Sequence, residues 1–116
     1  MKALKINVEK QQVEEIEIND WREISPAIGN ECTNFECPVS FENEDCFYCD
    51  EEGLFHTIEG GFIMDKWGSP IVGNALLIGT DNEGGSVDVK TTKEELLSLI
   101  TWVSQEEANK YAEYFR

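Results

Sequence analysis

Cys32, Cys37, Cys46 and Cys49 follow the pattern Cys-x4-Cys-x8-Cys-x2-Cys, and the only histidine of the chain, His56, lies shortly after them. Four thiolates close together can hold a tetrahedral zinc ion. A thiol beside an imidazole can act as a nucleophile with its base. The spacing speaks against both. Cys32 and Cys37 differ by an odd number, as do Cys46 and Cys49, so in extended chain each pair points to opposite faces. Cys37 shares its parity with Phe35 and Val39, where cysteine serves as a small hydrophobe. The Cys46–Cys49 segment also lacks the glycine of a zinc knuckle. His56 paired with Cys46 or Cys49 needs a positive setting to lower the thiol pKa, and its neighbourhood is negative. The expectation is therefore no metal, no cofactor and no catalytic residue. A zinc-stapled module with these four cysteines as ligands stays open as the alternative.

Carboxylates are the other reactive groups in quantity. Adjacent pairs stand at Glu14-Glu15, Glu44-Asp45, Asp50-Glu51-Glu52, Glu94-Glu95 and Glu106-Glu107. Acid–base work needs two carboxylates in environments that separate their pKa values, and nothing in the pattern marks one as buried. The last two pairs read as first-turn helix residues favoured by the dipole. Asp81-Asn82-Glu83-Gly84-Gly85 departs from the order of a calcium loop and reads as a hairpin turn. What remains is surface charge. From Glu23 to Asp65 there is no lysine or arginine, while the whole chain has 24 acidic residues against 9 basic and a formal net charge of −15. Within that run Glu42, Glu44, Asp45, Asp50, Glu51 and Glu52 gather at two turns of one hairpin, and these six are the expected partner-binding residues. Carboxylates at i and i+2 of a strand stand roughly 6.6–7 Å apart, a spacing close to that of nucleic-acid phosphates.

The charge limits the possible partners. Direct nucleic-acid binding requires clustered Lys and Arg, and the nine basic residues are scattered. A net negative molecule is also repelled by anionic membranes, and Ala75-Leu76-Leu77-Ile78, the longest apolar cluster, is too short to span one. The first residues alternate charged with apolar and do not read as a signal peptide. A cytoplasmic location with reduced cysteines is expected.

The elements that must position these groups follow from periodicity. At 116 residues a single domain over 1–116 is the default. Leu4, Ile6 and Val8, then Ile16 and Ile18, alternate as a hairpin. Asp20 caps a short helix through Trp21, Ile24 and Ile28 that stops near Gly29. Thr33, Phe35, Cys37, Val39 and Phe41 share one face of a long strand, with Pro38 on the other face suggesting a sheet edge. Cys46–Cys49 forms its partner. Residues 70–79 are apolar on both parities and predict one central strand covered on both faces. Ser86–Val89 is a short returning strand. From Thr92 the period is helical: Leu96, Leu99, Ile100 and Val103 share a face after the capping box Thr92/Glu95. A second box, Ser104/Glu107, opens a helix with Ala108, Tyr111, Ala112 and Phe115 inward. The fold class is α+β: a mainly antiparallel sheet of about five to seven strands, a short N-terminal helix, and two C-terminal helices packed on one face. Trp21, Trp67 and Trp102 belong to the core or line a small-ligand pocket beside those helices.

Asp50-Glu51-Glu52-Gly53-Leu54, followed by Pro70-Ile71-Val72-Gly73-Asn74-Ala75-Leu76-Leu77-Ile78-Gly79-Thr80-Asp81, resembles a domain-of-unknown-function family of small proteins. Its members are encoded largely by phages, plasmids and conjugative elements and open on Lys-Ala-Leu-Lys-type strands, as this chain does. The similarity runs from Met1 to about Ile100. It implies no catalytic residues, and a mobile-element setting in which small acidic proteins antagonise host defences. The functional expectation is a non-enzymatic acidic protein that mimics nucleic acid and occludes a basic protein surface, such as that of a nuclease. A ligand-binding domain is the further alternative.

Overall fold

The computed structural model describes residues 1–116 apart from Lys66 and the side chain of Val39. Among the described residues, strand β1 (Lys2–Asn7) and strand β2 (Gln12–Glu17) form the expected antiparallel hairpin, Ile6 opposite Val13. Asp20 then closes a capping box, its Oδ1 accepting from the Arg22 N–H at 2.8 Å while Glu23 Oε2 accepts from the Asp20 N–H. A 3-10 turn (Trp21–Glu23) leads into helix α1 (Ile24–Ile28), which stops at Gly29. Strands β3 (Phe35–Ser40) and β4 (Asp45–Asp50) make the second hairpin. Strands β5 (Gly61–Met64), β6 (Pro70–Val72), β7 (Ala75–Thr80) and β8 (Ser86–Val87) follow. Helix α2 (Lys93–Leu99), strand β9 (Ile100–Val103) and helix α3 (Gln105–Phe115) complete the chain.

The strands make two sheets rather than one. The larger has the order β2-β1-β7-β4-β3 with β8 also on β7, and the smaller runs β6-β5-β9; every pairing is antiparallel. β7 is the hub, and its continuous apolar run is buried on both sides, as expected. Leu76 and Ile78 pack with Ala3, Ile18, Ile24 and Ile28 on the α1 side. Leu77 packs between the sheets with Leu4, Ile6, Phe47, Phe62 and Leu96 of α2. A third cluster joins Ile58, Val72 and Val103 to Ala108 and Ala112 of α3.

Three expectations change. Residues 70–79 are two strands in different sheets. Gly73, at φ 95°, breaks the run, its N–H bonding the Gly60 carbonyl. Asn74 holds the crossing: its side-chain oxygen accepts from the Val8 N–H at 2.9 Å and its amide donates to the Ile28 carbonyl at 3.0 Å. The helix expected through Val103 ends at Leu99. Ile100-Thr101-Trp102-Val103 is a β-branched and aromatic run, and it pairs with β5, Trp102 opposite Phe62. The Thr92/Glu95 box does form, and Ser104 accepts from the Glu107 N–H at 3.1 Å. Phe115, expected inward, is exposed, because the apolar face of the small sheet is already covered by Ala108, Tyr111 and Ala112. Its ring rests on Tyr111, with centroids 4.6 Å apart.

Candidate functional site

The β3–β4 hairpin carries the six expected partner residues, and its irregular register decides where they point. Glu36 stands opposite Cys49 and Val39 opposite Phe47, so Cys37 and Pro38 together face Tyr48 alone. That is a β-bulge, and it cancels the parity read from the sequence. Cys37, expected on the core face, is exposed, while Phe35 and Phe41 are half-buried and Thr33 is exposed. Pro38 removes a donor from the ladder here, which is the local cause of the irregularity.

The four cysteines do not gather at one point, although Cys37 and Cys46 are neighbours. Cys49 is buried in the core between the sheets, and Cys32 packs with the α1 cluster on the other face. Among the described residues no group of three or more His, Cys, Asp or Glu side chains is arranged to hold a metal ion. Burial, then the negative Glu36 and Asp50 nearby, pushes the Cys49 thiol up to about 12. Burial also raises Cys32 and Cys37.

Two of the six carboxylates are not surface groups. Asp45 is fully buried, and its oxygens accept from the Lys90 N–H, the Thr91 N–H at 2.8 Å and the Thr91 hydroxyl at 2.6 Å. It was expected at a solvated turn; instead it binds the segment before α2 to the hairpin, because that segment brings backbone donors with no ladder partner to its position. Asp50, the last residue of β4, has a side chain only 6% exposed. One oxygen accepts from the Glu52 N–H at 2.9 Å, and the other lies 2.6 Å from His56 Nδ1. That hydrogen bond raises the His56 pKa above its ordinary 6.5. The histidine thus pairs with a carboxylate and not with Cys46 or Cys49.

The loop carrying His56 is clamped from α1. Gly29, Asn30 and Glu31 all have positive φ, a conformation uncommon outside glycine. It lets Glu31 accept the Thr57 N–H at 2.8 Å while the Asn30 amide donates to the Thr57 carbonyl. The bond from Thr57 holds the Glu31 carboxyl below its usual range.

Glu42, Glu44, Glu51 and Glu52 are exposed, and no ion pair among the described residues involves them. They occupy opposite ends of β4, about 16 Å apart by strand rise. Glu42 borders an open cleft with Phe41, Asn43, Glu95 and Ser98. Glu51 borders a cavity of about 170 Å³ with Glu36, Asp50, Trp67 and Tyr111. Sequence reasoning missed this second site, since Glu36, Trp67 and Tyr111 come from three distant elements. Trp21 and Trp102 do not line it, and Trp21 is 66% exposed rather than a core residue.

Fold and site define a small α+β domain of two antiparallel sheets with a strongly acidic hairpin. The chain belongs to the family described as Domain of unknown function (DUF3846), which it matches over residues 1–115. The match bears out the resemblance to a family of unknown function and carries it past Ile100 to the end of α3. No curated protein and no solved structure matches the chain. No helix among the described residues is long and apolar enough to cross a membrane.

Proposed function

We propose that the protein is a non-enzymatic acidic interaction protein that occupies a basic surface on a nucleic-acid-handling protein. A mobile-element origin, with a host defence nuclease as the target, is part of the same reading. What carries it is the exposure of Glu42, Glu44, Glu51 and Glu52 without ion-pair partners among the described residues, in a chain of net charge −15. Surface carboxylates left uncompensated steer a cationic partner and speed its association. Two acidic ends separated by one strand length touch a basic groove at two points.

The test is binding to a nuclease with a basic nucleic-acid channel, measured from low to high salt and after combined Glu→Gln substitution at 42, 44, 51 and 52. Affinity should fall by about tenfold or more in both cases, mainly through the association rate. Binding indifferent to salt and to these four substitutions would sink the reading.

A further inference from the structure

The cavity beside Glu51 is built differently from the rest of the acidic surface. Its floor is the buried Cys49, one wall is β6 with Pro70–Val72, and aromatic side chains stand at Trp67 and Tyr111. Glu36 and Glu51 supply exposed carboxylates at the opening, and Asp50 lines it as part of β4. Trp67 is 40% exposed. At about 170 Å³ the space is far below the several hundred Å³ of a cofactor or nucleotide pocket, and close to what one flat, side-chain-sized group fills.

We infer that this cavity is a receptor for a single arginine side chain presented by a protein partner. Charge and shape together select that occupant. An anion is repelled by the Glu36 and Glu51 carboxylates, and a neutral apolar group leaves their charge unpaired. A cation meets both the carboxylates and the ring faces. Between the two cationic side chains, the guanidinium is flat, stacks on an indole, and presents a fork of donors to carboxylates, whereas an ammonium is a compact, strongly hydrated charge. Glu36 is the positioned element of the receptor: its Oε1 accepts from the Cys49 thiol of the floor at 3.9 Å. Glu51, exposed, is free to close on the guest. This inference rests on the proposal that the acidic surface meets a basic protein, and it names the residue type that anchors the contact.

The probe is Nα-acetyl-arginine amide, with Nα-acetyl-lysine amide as the comparison, followed by NMR chemical shifts and tryptophan fluorescence. Arginine amide should move the Trp67 indole and Tyr111 signals saturably, and bind about fivefold or more tighter than lysine amide. Trp67→Leu and Glu51→Gln should each weaken arginine binding about fivefold or more, while Glu44→Gln, at the far end of β4, leaves it unchanged. Both Trp67 and Glu51 have exposed side chains, so the variants are expected to fold, and an unchanged backbone spectrum checks this. Equal binding of lysine, an equal effect of Glu44→Gln, or shifts scattered over the surface would overturn the inference. If arginine fails while nuclease binding still depends on the four glutamates, the receptor is wrong and the acidic-surface reading stands. Loss of nuclease binding alone reverses that outcome.

Discussion

Asp45 at the start of β4 is fully buried and accepts from two backbone N–H groups and a hydroxyl of Lys90 and Thr91. Asp50 at the end of the same strand also has a buried side chain, but its partners are the Glu52 N–H and the titratable His56. Both are aspartates beside exposed glutamates, and they belong to the same acidic run. Asp45 has fixed donors and is a structural joint. Asp50 faces a histidine, so its surroundings respond to pH. Charge read from sequence treats the two alike; the partners that the fold brings to each carboxylate separate them.

The largest expected effect tests the joint. Asp45→Ala leaves the Lys90 and Thr91 N–H groups without their acceptor and should cost about 3–5 kcal/mol in urea denaturation. A loss below about 1 kcal/mol would place Asp45 with the surface carboxylates after all. The next effect concerns pH. Because the His56 pKa is raised by its bond to Asp50, the stability from that pair is fully present below 6.5 and is lost as pH rises through the raised value. Denaturation followed across this window should show the decline, and Asp50→Asn should remove it while the histidine ring signal titrates nearer 6.5. An unchanged His56 titration in Asp50→Asn would break the contrast between the two strand ends. The smallest effect is chemical. Cys49, buried with its thiol pushed up to about 12, should resist a thiol reagent until the protein unfolds, while exposed Cys37 is modified in the native state. Mass spectrometry after brief alkylation reads the order directly.

Much of the scaffold was legible in local pattern. The β1–β2 hairpin, the Asp20 and Thr92 capping boxes and the stop at Gly29 each depend on neighbours within a few residues, where side-chain type and backbone preference agree. The hairpin of β3 and β4 was legible as strands but not in register, because one extra residue at Cys37–Pro38 shifts the pairing from there on. The break at Gly73 was hidden because both halves of the apolar run are buried, and burial alone does not say in which sheet. For the candidate site, four of six expected carboxylates are exposed. The other two were misread because their partners, Thr91 and His56, reach them by tertiary folding. The cavity at Trp67 and Tyr111 left no trace in any one segment, since it forms only where β4, β6 and α3 meet.

The position of β7 has a consequence for how the chain is made. Leu4 pairs with Leu77 and Cys46 with Ile78, so both N-terminal hairpins depend on a strand that comes after them. During synthesis the ribosome releases Leu4, Ile6 and Phe47 well before the segment that completes their sheet, and such late, long-range pairing leaves unfinished strands open to aggregation. The stretch from Glu23 to Asp65, acidic and without a lysine or arginine, lies between the first hairpin and β7. Like charge keeps the waiting segments of neighbouring chains apart. The acidic run thus has a use during synthesis that does not depend on any partner.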